Sequence, residues 1–240
     1  MLKTFKLNII DKLNSLPENY KVLDVGGASA PFSRANTLID IVDYEKIIWS
    51  QIKGDKNKKI PKENYMRHDI CSREAWPFQD KQFDYVTCSH VLEDIRDPLW
   101  VCSELIRVSK AGYIEVPSRL YETAFNIENR GLSGASHHRW IVDLDENNNL
   151  RFTFKYMQVH LKRVNKNRTA HKKTDPEMYL KLEWEGDFKF YENWLNSGKE
   201  IFEYYLNKKL TDKEVRKVFR DIGPRGFIVE WVAYLSKILK

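Results

Sequence analysis

The chain has 240 residues, of which 42% are hydrophobic and 13% aromatic, enough apolar material for a packed core and too much for a disordered chain. A formal charge of +6 and a pI near 9.0 suit an anionic substrate or partner but fall short of the basic balance of a dedicated nucleic-acid binder. No apolar run of about 18 residues is present, so no membrane-spanning helix is expected.

In chain order, Phe5, Ile9, Leu13 and Leu16 recur at helical spacing, and Pro17 ends that segment. The start of the chain, Met1 to Phe5, leads into charged amphipathic sequence rather than a signal core, which points to a cytoplasmic protein. Lys21 to Gly27 reads as a buried strand breaking into a tight turn. Further buried strands are expected at Thr37–Val42, Asn64–Asp69, Phe83–Cys88 and Gly112–Pro117. Before the last of these, Asp97 can cap a helix with Pro98 at its first position. Leu99, Cys102, Leu105 and Ile106 would form its apolar stripe, and Gly112 would follow its end. Strands alternating with helices predict an α/β fold, a Rossmann-like doubly wound sheet that is mostly parallel.

After Pro117 the alternation stops. Trp140–Val142 and Arg151–Phe154 flank a hairpin turn at Asp145 to Asn149. Residues 155–173 are basic. Leu182 to Tyr191 predicts a late antiparallel strand, and two helices joined by a turn at Gly223 to Gly226 complete the chain. No linker divides it, so a single domain over 1–240 is expected, with a cofactor-binding core at 20–120 and substrate-side and C-terminal additions at 118–240. Three widely spaced cysteines, Cys71, Cys88 and Cys102, form no C-x-x-C pair. Buried free thiols are expected, and no metal site. Asn167-Arg168-Thr169 matches a glycosylation acceptor only by chance in a chain without a signal peptide.

A sheet of this kind takes its ligand outside the carboxyl ends of its strands. There the loop Gly26-Gly27-Ala28-Ser29-Ala30-Pro31 lets a ligand approach the backbone. Asp40 could accept both ribose hydroxyls, with Asp43 in competition. Asp69 could accept from an adenine amino group while Ile70 covers a ring face. Each acid alone reads as a solvated carboxylate; three at successive strand ends point to a nucleoside.

Val22-Leu23-Asp24-Val25-Gly26-Gly27 resembles the first motif of class I S-adenosylmethionine-dependent methyltransferases of the small-molecule, type 11 kind. Phe83-Asp84-Tyr85-Val86-Thr87-Cys88-Ser89-His90-Val91-Leu92-Glu93-Asp94 resembles their FD-x-V-x-x-x-HVLEH stretch. Asp69-Ile70 with Trp76-Pro77-Phe78, Arg107-Val108 and Gly112 to Pro117 continue the resemblance over residues 20–120. It implies an S-adenosyl-L-methionine cofactor. Asp24, Gly26, Gly27 and Ala28 would lie at its methionine moiety, Asp40 at the ribose and Asp69-Ile70 at the adenine. Ser89 and His90 would sit near the sulfonium. The chain departs from the family in Ala28 and Ala30, which replace loop glycines, and in Asp94, which replaces a histidine. A nicotinamide fingerprint is absent, since Pro31 falls where its last glycine should be.

On the substrate side, His137, His138 and Arg139 are the candidate catalytic cluster. Histidine can take a proton near neutral pH, and arginine can hold an anionic group. Residues 118–173 would wall the acceptor side. The expected acceptor is a small molecule or glycan, methylated at oxygen or nitrogen. An RNA or protein methyltransferase using 155–173 is the alternative, and a non-catalytic cofactor-binding partner subunit a third reading. The basic stretch itself reads first as a solvated face. The sequence is silent on oligomeric state.

Overall fold

The computed structural model describes residues 2–5, 8–128, 130–160, 176–207, 209–211 and 213–214. The basic stretch beyond 160, the Asn167 acceptor triplet and the turn at Gly223 to Gly226 lie outside the described residues.

The main sheet is built on β2 (Val22–Val25), β3 (Thr37–Asp40), β4 (Tyr65–Arg67), β5 (Tyr85–Ser89) and β6 (Ala111–Pro117). Parallel pairs run from β4 through β3, β2 and β5 to β6. The sheet then continues antiparallel through β9 (Tyr179–Glu185) to β1 (Lys3–Thr4), seven strands among the described residues. The strands are apolar almost throughout because both faces are covered. Alternate residues divide between two cores. Leu23, Val25, Ile39, Val86, Cys88, Ile114 and Val116 face one, with Trp76 and Trp184. Val22, Leu38, Tyr85 and Tyr113 face the other, with Leu13, Phe32 and Ile60.

The expected strands are all present, but the expected alternation with helices is not. Between β2 and β3 only a single 3-10 turn, Gly27–Ser29, intervenes, and between β3 and β4 only short 3-10 turns. The full crossover helix is α2 (Pro98–Val108), between β5 and β6, capped by the Asp97 carboxylate on Trp100 N at 3.1 Å with Pro98 at its start. Its buried face carries Val101, Cys102, Leu105, Val108 and Glu104, while Leu99 and Ile106 are only partly buried. Gly112 lies inside β6, and Ser109 closes the helix.

Residues 5–16 were expected to be helical throughout, but α1 spans only Ile9–Ser15, from its Asn8 cap. The chain before it is extended because Phe5 N donates to Lys181 O at 2.8 Å and the Phe5 ring packs edge-on against Tyr113. After the short α3 (Arg119–Thr123), β7 (Trp140–Leu144) and β8 (Leu150–Phe154) form the expected hairpin. Its turn is closed by the Asp145 carboxylate, which accepts from Asn147 N and Asn149 N. The single late strand is in fact two. Gly186, at φ +75°, turns the chain out of β9, and β10 (Phe190–Glu192) joins β8 in a separate three-stranded sheet. Lys155 is buried rather than solvated, so the start of the basic stretch is not a charged face. A further helix, α4 (Gly198–Leu206), packs Phe202 and Tyr205 against Ile141 and Val159. The three cysteines are free and buried, as expected.

Candidate active site

From β2 the chain steps outward through β3 to β4, then crosses back to β5 on the other side of β2. This reversal opens a crevice outside the carboxyl ends of β2 and β5, the ligand position of open parallel sheets. A cavity of about 460 Å³ lies there, lined by Gly26, Asp40, Asp69, Ile70, His90 and Arg139 among others. That volume is in the usual range for a small-molecule site. A larger open depression of about 810 Å³, bordered by Lys12, Tyr20 and Lys110, lies at the amino ends of the parallel strands, away from the functional loops. It lacks the convergent loop ends that build a site.

Gly26 adopts φ +68°, and a Cβ there would lie 2.5 Å from Val91 Cγ2, so only glycine turns the chain beneath the cavity. Asp24 is 1% exposed and beyond the reach of a ligand. It accepts from Phe32 N at 3.0 Å and from Thr87 Oγ1 at 2.7 Å, holding the loop where a helix would otherwise follow. Burial pushes its carboxyl up to about 6. Gly27, Ala28 and Ser89 stand behind the wall rather than in it, and Ser89 Oγ accepts from Lys53 Nζ at 3.4 Å.

Asp40 accepts from Ala28 N at 3.0 Å through one carboxylate oxygen and from Val42 N at 3.1 Å through the other. A carboxylate offers about four acceptor sites, so each oxygen could still accept a ribose hydroxyl. Asp43 is not in the cavity wall; it pairs with Lys46 and Arg67 on the surface, which hold its carboxyl low. Asp69 accepts from Arg96 at 2.7 Å and from Cys71 N at 3.0 Å, and the Arg96 contact holds its carboxyl below the usual range. Ile70 and Ile41 supply apolar wall. Sequence reasoning missed Ile41; its 58% exposure beside a buried acid is the structural mark of it.

His90 sits at φ +57° with its Nδ1 3.4 Å from Glu93 and its Nε2 3.3 Å from Glu115. Burial opposes its charge, but the two carboxylates prevail and raise it to about 9, so the ring is cationic at neutral pH. Burial likewise opposes Glu115, yet His90 and Tyr113 hold that carboxyl down to about 2.

The candidate catalytic cluster is split by its environment. Arg139 lines the cavity. Arg139 N and Trp140 N both donate to Glu93 O, at 2.7 and 3.0 Å, and Trp140 Nε1 donates to Ile95 O at 2.9 Å. These bonds moor the segment after Pro117 to the loop after β5. The His137 side chain is 62% exposed and the His138 side chain 7%. His138 Nδ1 is 2.5 Å from Glu122 Oε1, and Lys155 Nζ is 2.5 Å from Glu122 Oε2. Burial pulls the His138 ring down, but Glu122 and the nearby acids leave it above the ordinary histidine value. Glu122 and Lys155 are buried partners that sequence reasoning missed, because a Glu and a Lys so far apart in the chain carry no pairing signal.

Residues 23–114 match the family described as a methyltransferase domain. The match covers less than half of the chain. Of the residues that the sequence resemblance assigns to S-adenosyl-L-methionine, Gly26, Asp40, Asp69, Ile70 and His90 line the cavity. Among solved structures, a candidate methyltransferase from Bacillus halodurans is 20% identical, with a TM-score of 0.31, over 45% of this chain and 51% of its own. A methyltransferase from Mesorhizobium loti that depends on the same cofactor is 14% identical, with a TM-score of 0.33, over 60% of this chain and 63% of its own. The YcgJ protein of Bacillus subtilis is 16% identical, with a TM-score of 0.32, over 46% of this chain and 49% of its own. The chain thus spans about half the length of the first solved structures it resembles. No curated protein matches it. The matched segment of the methyltransferase domain ends within β6, so the region that carries Glu122, His137, His138 and Arg139 lies outside it. No helix among the described residues is long and apolar enough to cross a membrane.

Proposed function

We propose that the chain transfers the methyl group of S-adenosyl-L-methionine, bound in the 460 Å³ cavity, to an oxygen or nitrogen of a small-molecule or glycan acceptor. One observation carries this reading. Gly26, Asp40, Asp69, Ile70 and His90 from the matched domain share a single cavity wall with Arg139 from the segment beyond it. Asp40 would hold the ribose hydroxyls, Asp69 and Ile70 the adenine, and cationic His90 the methionine carboxylate.

The reaction is an in-line displacement, for which alignment and exclusion of water matter most. The bound cofactor would supply the methyl carbon: the acceptor lone pair would bond to it as the carbon–sulfur bond breaks with its electrons to sulfur. The acceptor's proton would pass to His138 Nε2, whose Nδ1 is held by Glu122. Arg139 orients an anionic acceptor group. Three buried thiols fit a reducing compartment such as the cytoplasm. Among the described residues of the basic stretch, Lys155 is committed to Glu122 and is not free for phosphate.

Calorimetry tests the cofactor half. S-adenosylmethionine and S-adenosylhomocysteine should bind and NAD should not. Asp40→Ala should weaken binding by about 1–3 kcal/mol, and Asp43→Ala should leave it unchanged. NAD binding without response to either sulfur compound overturns the reading. Methyl-labelled cofactor incubated with fractionated extract then identifies the acceptor: label in RNA or protein, or in nothing, defeats the small-molecule or glycan assignment.

A further inference from the structure

Asp94, His137 and His138 bring three ligand atoms within 4.8 Å of one another at the edge of the cavity that Asp94 lines. Asp94 Oδ1 is 3.8 Å from His138 Nε2 and 4.0 Å from His137 Nε2. We infer that these three side chains bind a divalent transition-metal ion beside the acceptor position.

Metal–ligand bonds of about 2.0–2.2 Å place neighbouring ligand atoms about 3–3.5 Å apart. The two separations from Asp94 exceed that by less than about 1 Å. The His137 ring meets His138 edge-on but is largely exposed, and can close the gap by a side-chain rotation. Two imidazoles and one carboxylate form a donor set suited to zinc, cobalt, manganese or iron, and leave coordination positions open. Magnesium and calcium prefer oxygen ligands throughout and fit this set poorly.

Two further observations, independent of the spacing, point to a cation. The first is the support behind His138. An ionised carboxylate can only accept, so the contact with Glu122 puts a proton on Nδ1 and leaves Nε2, facing Asp94, as the atom a metal ion would take. Metal-bound histidines are characteristically held this way by a carboxylate on the other ring nitrogen. Glu122 is fully buried and its charge is balanced by Lys155, so the support is rigid. The second is unspent acceptor capacity. Asp94 Oδ1 is buried without a hydrogen-bond partner. Buried carboxylate oxygens left in this state are costly unless a cation completes them.

The inference rests on the methyl-transfer reading only for what the ion does. An acceptor oxygen entering an open coordination position would shed its proton more readily, and His138 would then serve as a ligand instead of a proton carrier. Binding itself stands apart from that reading. The test is titration of the untagged full chain with Zn²⁺ by calorimetry and with Co²⁺ by visible absorption, with Mg²⁺ as control. One Zn²⁺ or Co²⁺ per chain should bind, with absorption bands of a nitrogen- and oxygen-ligated cobalt ion, and Mg²⁺ should not compete. His137→Ala should weaken binding at least about 10-fold; its exposure keeps the fold out of question. Glu122→Gln should weaken binding about 10- to 100-fold, as loss of such a support does. Absence of saturable binding, or binding unchanged in His137→Ala, overturns the inference. S-adenosylmethionine titrated into the same preparation separates the two proposals: cofactor binding without metal binding defeats only this one, and metal binding without cofactor binding defeats only the other.

Discussion

Gly26 shows how one residue sets the cavity floor. A methyl group there would meet Val91 Cγ2 at 2.5 Å and would also hold an L-residue at φ +68°. Gly26→Ala should therefore destabilise the fold by about 2–4 kcal/mol, about 1–2 from the backbone and the rest from overpacking. A double-mutant cycle with Val91→Ala, read by urea unfolding, should recover the packing part and leave the backbone part. Full additivity would mean that Val91 is not the obstacle. His90 makes a prediction of a different kind. Its ring is raised to about 9 in the fold against about 6.5 when unfolded. The stability it contributes is fully present below pH 6.5 and is lost as pH rises through 9. The ring is 40% exposed, so solvent damps the effect. His90→Asn, which tolerates the left-handed backbone, should flatten the decline of the urea midpoint between pH 6.5 and 9. An unchanged slope would show that the Glu93 and Glu115 contacts do not charge the ring.

At the scale of elements, α2 takes over work that missing helices would have shared. The Glu104 carboxylate accepts from Trp76 N at 2.6 Å and pairs with Arg107 at 2.7 Å. Arg107 in turn donates to Trp76 O and Phe78 O, at 3.0 and 2.8 Å. One helix turn thus pins the irregular connection between β4 and β5. The exchange is physical: where no helix satisfies the backbone of a connection, side chains must. Glu104→Ala strands a buried amide and a half-buried guanidinium, and should cost about 3–5 kcal/mol. Hydrogen exchange should show the Trp76 amide losing protection ahead of the β5 amides. Equal loss at both would place the network in the global fold rather than in this connection. The α2 cap and the hairpin turn were legible because Asp97-Pro98 and Asp145 act on backbone groups within a few residues. The burial of Glu104 was not, since only the Trp76 amide and Arg107 make it tolerable.

For the molecule as a whole, Asp24 ties stability to pH beneath the site. Its carboxyl stands at about 6 in the fold, against about 3.9 in an unfolded chain. Between those values the folded state holds the proton and the unfolded state has released it. Stability from this group is therefore greatest below pH 4 and falls as pH climbs to 6, by at most about 3 kcal/mol. Asp24→Asn cannot titrate. Measured by urea unfolding, the stability difference between wild type and variant should shift in the variant's favour across that window. A difference constant from pH 4 to 7 would mean that Thr87 and Phe32 stabilise the ionised form fully. The same acid that pins the glycine loop thus draws on the stability of the whole molecule, a cost that functional sites commonly carry.

The sequence by itself determined the strands and which residues meet at their carboxyl ends. A buried strand announces itself by a short apolar run, and Gly26, Asp40 and Asp69 fall at the ends of successive strands, so local pattern and parallel topology suffice to bring Asp40, Asp69, Ile70 and His90 to one crevice. Tertiary structure decided the rest. Whether a connection is helix or loop depended on whether Asp24, Asp40 and Arg107 could satisfy its backbone from a distance. The late apolar segment split because Gly186 turns β9 away and β8 offers β10 a free edge. The environment of His138 was set by Glu122, Lys155 and Asp94 from three separate segments. Pairings between residues far apart in a chain leave no periodicity behind, and only folding brings their charges within reach of one another.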